Sequence, residues 1–171
     1  MSVPRIGTVL VLLIFLGSCN VSDSEKNACA LNAPLHPAKL FEGELSYSKY
    51  ENYKSLFLDP SFHWIEKEGD FGKSSVLVSR FEVDRKFLGY TGKLEYVFYF
   101  QRLAEMRFHP DNPSLFFQAA KAEGLPASYG AELAAGDAKY WATGRHGAVE
   151  TIAVSDSRII RSFQACIAAH D

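Results

Sequence analysis

The sequence predicts an α+β fold: one antiparallel sheet of about five or six strands, with two or three helices mainly on one of its faces. Segments in which apolar and polar residues alternate, the period of a half-buried strand, recur between Phe62 and Phe108 and again between Ala138 and Val154. Stretches with apolar residues three and four apart precede, separate and follow them, as amphipathic helices require. The strands mostly run in sequence, and the short gap near Gln101-Arg102 implies a tight hairpin and an antiparallel meander. The 13 Phe and 8 Tyr provide large side chains for a packed sheet face.

The elements follow in chain order. Ser46 to Leu58 reads as a helix, with Ser48 and Glu51 spaced as a capping box and Tyr50, Tyr53 and Phe57 at helical intervals; Pro60 ends it. Leu45-Ser46-Tyr47 also alternates, so a strand competes there. Phe62–Lys67 reads as a short strand, followed by a turn at Gly69–Gly72. Ser75–Val83 places Leu77, Phe81 and Val83 on one face, and Tyr90–Gln101 places Leu94, Tyr96, Phe98 and Phe100 on one face. Ala104, Met106 and Phe108 alternate in the next strand, which implies a tight hairpin near Gln101-Arg102. Asp111 or Asn112 can cap a helix that starts at Pro113, buries Leu115, Phe116, Ala119, Ala120 and Ala122, and stops at Gly124. Two more strands, Ala138–Thr143 and Ala148–Val154, precede a last helix from about Asp156 with Ile159, Ile160, Phe163, Cys166 and Ile167 on one stripe.

The first residues stand apart from this domain. Arg5 precedes an apolar run, Ile6 to Leu16, far shorter than the ~20 residues that a spanning helix needs. A short positive region, an apolar core and small residues mark a secretory signal peptide over residues 1–18. Leu16-Gly17-Ser18-Cys19 resembles the lipobox of bacterial lipoproteins, with Gly17 less usual at its position. The resemblance implies cleavage between Ser18 and Cys19 and three acyl chains on Cys19, each buried methylene contributing about 0.8 kcal/mol of membrane affinity. The competing reading is an ordinary cleaved signal with Cys19 near the cut. Asn20 in place of Asp favours the outer over the inner membrane in that family. Residues 19–38 then form the lipidated Cys and a polar tether, and residues 39–171 a single domain.

With Cys19 lipidated, Cys29 and Cys166 remain, and in an oxidising compartment they read as a disulfide. Closing so long a loop stabilises by about 4–5 kcal/mol in the chain-entropy model. A nucleophilic Cys or half of a metal site is the alternative, though neither Cys lies in a CxxC or Cys/His cluster.

Net charge −2 gives no footprint for nucleic acid. His36, His63, His109, His146 and His170 lack metal-ligand spacing, Ser128 lacks the Gly that opens a nucleophile elbow, and Gly69–Ser75 lacks the phosphate-loop spacing. No metal or cofactor is expected. Glu95, Glu105, Asp137, Glu150 and Asp156 lie on or near strands, with nothing to select a catalytic pair. The polar face carrying Arg80, Lys93, Glu95, Tyr99 and Gln101 is a candidate docking surface, since Tyr and Arg are favoured in interfaces; a solvated sheet face is the plainer reading.

From Glu44 to about Phe108 the layout of helix and meander is similar to small outer-membrane assembly lipoproteins of the SmpA/OmlA type. Their Gly-Met-Thr before the first helix is replaced by Glu44-Leu45-Ser46, and the likeness transfers no functional residue. Lysozyme-inhibitor lipoproteins, also small, disulfide-bonded and β-rich, are a second comparison, without a matching inhibitory loop. The sequence therefore leads to a lipid-anchored, non-enzymatic envelope protein that binds a protein partner or has a structural role. A small periplasmic hydrolase with a site assembled only in space is the rival.

Overall fold

In the computed structural model the described residues are 37–66 and 78–170. Residues 1–36, with the signal segment, Ser18, Cys19, the tether and Cys29, lie outside them, as do the expected turn at Gly69–Gly72 and the start of the second strand. Cys166 lies in the last helix, beyond the described side chains.

The fold is α+β, as the alternation and helical spacing predict, with seven antiparallel strands rather than five or six. They are β1 (His63–Glu66), β2 (Val78–Phe87), β3 (Tyr90–Tyr99), β4 (Arg102–Pro110), β5 (Glu132–Ala135), β6 (Ala138–Arg145) and β7 (Ala148–Asp156), in the order β1-β2-β3-β4-β7-β6-β5. The additional strand is β5. Its four residues are all exposed and show no alternation that a sequence could reveal.

Tight turns set the registers. Leu88-Gly89, Phe100-Gln101 and His146-Gly147 have positive φ at both central positions, the conformation that matches strand twist in two-residue hairpins. The hairpin expected at Gln101-Arg102 thus lies one residue earlier, which takes Phe100 out of the β3 face. Phe100 (φ 49°) and Gln101 (φ 60°) occupy a conformation that glycine adopts freely and that costs larger residues about 1–2 kcal/mol each. Gln101→Gly is therefore expected to raise stability by about 1 kcal/mol, read as a higher urea midpoint at unchanged slope.

The core lies on one sheet face. Phe81, Val83, Leu94, Tyr96, Phe98, Leu103, Met106, Phe108, Ile152 and Val154 are buried there. Leu103 takes the core position expected of Ala104 because the β3–β4 register shifts between Val97 and Phe98. Ala104 is the extra residue of this bulge.

The first helical segment, Tyr50–Leu58, is a 3-10 helix and starts later than its sequence suggests. Ser46 is fully buried and donates to Asp156 Oδ2 at 2.8 Å, and Tyr47 has φ 66°. The backbones of Tyr47 and Ser48 bond to Leu103 instead of entering a helix. Ser48 Oγ donates to Leu45 O at 2.6 Å, so the expected capping box is not formed. Tyr50, Tyr53 and Phe57 nonetheless pack on Phe81, Tyr96 and Phe98.

The next helix, α1 (Pro113–Ala122), starts as its sequence dictates. Asn112 Oδ1 accepts from Leu115 N at 3.2 Å, with Pro113 in the first turn. Phe116, Phe117 and Ala120 are its buried stripe, while Leu115 and Ala122 face out. The last helix, α2 (Ser157–His170), is capped by Asp156 Oδ1, which accepts from Arg158 N at 2.9 Å. The 3-10 segment and α1 share the core face. Phe163 of α2 instead stacks on Tyr99, on the opposite face, with centroids 4.0 Å apart and planes within 7°.

Candidate functional site

That opposite face carries the chemistry. Successive residues of a strand point to opposite sides, so burying Phe81, Leu94, Tyr96, Met106 and Phe108 turns Arg80, Glu95, Glu105, Arg107 and His109 the other way. The register places Glu95 opposite Arg107 and Lys93 opposite His109. Glu105 faces Ser155, and Arg107 faces Ala153 of β7.

Glu95 is the hub. Its side chain is 3% exposed. Arg80 reaches Oε1 through Nε at 2.7 Å and Nη2 at 2.6 Å, and Arg107 Nη1 stands 3.5 Å from the same oxygen. His109 Nε2 lies 3.2 Å from Oε2. A carboxylate only accepts, so Nε2 carries the proton and Nδ1, 3.0 Å from Thr151 Oγ1, accepts from that hydroxyl when the ring is neutral. Burial opposes the Glu95 charge, but the contacts with His109, Arg107 and Arg80 outweigh it and hold its pKa below the usual carboxylate range. Glu105 behaves oppositely. Burial pushes its pKa up, and its contact with Arg107 Nε offsets only part of that effect. Two carboxylates on one guanidinium are thus driven apart in acidity by their surroundings.

The arrangement is layered. Glu95 and Glu105 are buried, while the side chains of Arg80, Arg107, His109 and Lys93 are 29, 31, 40 and 47% exposed. Cationic and imidazole tips therefore stand above buried acids. Lys93 is held by Glu82 at 2.8 Å.

Of the residues chosen from sequence, the structure brings Arg80, Lys93, Glu95 and Tyr99 to this face and places Gln101 in the hairpin turn. Glu95 is buried beneath the face rather than presented on it, and Tyr99 is half-buried under Phe163. Glu105, Arg107, His109 and Thr151 complete the cluster. Alternation along β4 orients three of them together, but their alignment with Glu95 depends on the bulge.

Glu95, His109 and Thr151 form an acid–base–hydroxyl line, the constituents of nucleophilic catalysis. Here these groups hold one another. Thr151 is 7% exposed and its hydroxyl is engaged by His109, while the Glu95 oxygens are shared by two guanidiniums and the imidazole. Among the described residues no group of three or more His, Cys, Asp or Glu could hold a metal ion, and no helix is long and apolar enough to cross a membrane. No protein-family model, curated protein or solved structure matches the chain.

Proposed function

We propose that the chain is a lipid-anchored protein of the bacterial envelope that docks a protein partner on the sheet face opposite its core. The outer membrane, facing the periplasm, is the preferred location. Anchorage rests on the lipobox-like Leu16–Cys19 that follows the apolar run. The observation that carries docking is the layer of Arg80, Arg107, His109 and Lys93 tips over buried Glu95 and Glu105. Arginines already fixed by buried carboxylates lose less side-chain freedom on binding, so they present donors to a partner at reduced entropic cost. A partner with carboxylates or backbone carbonyls in its contact surface fits them.

One experiment tests both parts. Cells expressing the chain with a photo-crosslinking residue at Lys93 are fed labelled fatty acid and irradiated. The expected result is a labelled protein with one reproducible crosslinked product, and loss of label in the Cys19→Ser variant. Label that persists in Cys19→Ser removes the anchor. Labelled protein without a crosslinked product removes the docking face.

A further inference from the structure

The edge of the sheet formed by β5 points to a second copy of this chain as its partner, and we infer that two molecules pair there, β5 against β5, about a two-fold axis through Leu133. This goes beyond the docking face described above and does not depend on it.

β5 ends the sheet, with β6 on its inner side and no strand on its outer side among the described residues. The two-residue turn Gly136-Asp137 joins it to β6, so Ala135 and Ala138 form the hydrogen-bonded pair that closes the hairpin. Pairs alternate along an antiparallel ladder. Leu133–Tyr140 is therefore the next hydrogen-bonded pair, and Ala142 N donates to Ala131 O at 3.0 Å in step with it. Glu132 and Ala134 are left with N–H and C=O directed outward.

Edges of this kind invite another strand, and proteins usually guard them with short strands, charged side chains, proline, a bulge or a covering element. β5 is short and carries one charge, Glu132, which is paired with Lys139; it has no proline and no lysine, and all four of its residues are exposed. Of the two residues whose backbone groups point outward, Ala134 is small and Glu132 holds its carboxylate on Lys139 of its own hairpin at 2.8 Å. Its one large apolar side chain, Leu133, is 40% exposed.

A two-fold axis through Leu133 satisfies each feature. Glu132 of one copy then opposes Ala134 of the other, and each such pair exchanges both backbone hydrogen bonds. Leu133 meets Leu133 in the intervening close pair, where its exposed surface is covered. The charges also agree. Each Glu132 faces a neutral alanine and keeps its own Lys139 at 2.8 Å, so no like charges are opposed. The two seven-stranded sheets become one continuous sheet.

The close pair makes the register measurable, because its Cα atoms are about 4.5 Å apart, within disulfide reach. The purified full chain carrying Leu133→Cys is oxidised with copper–phenanthroline and run on a non-reducing gel beside the wild-type chain, whose native cysteines set the background. A covalent dimer well above that background is expected. Adding Ala134→Pro, which removes an outward donor and leaves the inner ladder intact, is expected to return the dimer to background. Leu133→Cys that stays at background overturns the inference, as does a crosslink that survives Ala134→Pro. Sedimentation equilibrium without any cysteine change gives a second reading: the wild-type chain self-associates with rising concentration and Ala134→Pro does not. Two identical monomers overturn it.

Discussion

Replacing Phe98 by Ala is expected to lower the unfolding free energy by about 3–5 kcal/mol, from lost transfer energy plus the cavity left behind. Phe98 is fully buried, with the rings of Tyr50 and Tyr53 edge-on at 5.3 Å and Phe81 stacked at 5.7 Å. Those partners come from β2 and the 3-10 segment, so the cavity cannot close by moving one side chain. A domain of this size has about 5–15 kcal/mol in total, and the variant therefore melts at much lower urea or fails to accumulate. Tyr99→Ala is the control from the other face. It loses the stack on Phe163, worth about 0.5–1.5 kcal/mol beyond area burial, and is expected to fall clearly short of Phe98→Ala. Equal losses in urea melts would mean that both faces are packed alike.

Glu95→Gln is the second large effect. The substitution keeps shape and removes charge, leaving Arg80 with Glu66 at 3.6 Å and Arg107 with Glu105. Breaking a buried ion pair from one side costs about 3–5 kcal/mol; the guanidiniums here reach water, which sets the expectation at about 3 kcal/mol, the lower end of that range. The pH dependence has a definite sign. The folded-state pKa of Glu95 lies below its unfolded value, so its stabilisation is complete above the unfolded pKa and is lost as pH falls through the folded pKa. Glu105, whose folded pKa is raised, contributes in the opposite sense: its stabilisation is present below the unfolded pKa and is lost as pH rises through the folded pKa. Urea midpoints between pH 7 and pH 3 are expected to fall less steeply with acid in Glu95→Gln than in the wild-type chain. An unchanged acid limb would show that Glu95 is not the group that titrates.

The core face of the strands was legible in the sequence, because period-two alternation reports which side carries the large apolar residues, even though Glu95, Val97, Glu105, Ala153 and Ser155 on the other side are buried as well. Phe81, Tyr96, Phe98, Met106 and Phe108 all fall where alternation puts them. β5 was not legible, since Glu-Leu-Ala-Ala exposes every residue and carries no period. The 3-10 segment showed its apolar spacing but not its start, because the competing partners of Ser46 and Tyr47 are Asp156 and Leu103, remote in sequence. The site was legible by half. Arg80, Lys93, Glu95 and Tyr99 follow from alternation alone. Arg107 and His109 do not, because the Phe100-Gln101 turn by itself aligns Glu95 with Met106. The bulge at Ala104 advances the register by one and brings Arg107 opposite Glu95. No local signal in the sequence marks that bulge.

Every neighbouring pair of strands in the sheet is also sequential except one, β4 with β7. The sheet is therefore two meanders joined along a single seam, and the seam pairs only Glu105–Phe108 with Ile152–Ser155. Hairpins close locally and quickly, whereas this seam must enclose α1, β5 and β6 before it gains any contact. The order of events in folding is thereby biased: each meander can assemble from its own turns, and their association across β4 and β7 carries the main entropic barrier. The strained Phe100-Gln101 turn lies within the first meander, ahead of that barrier, so its strain weighs on the early hairpin rather than on the joining of the halves.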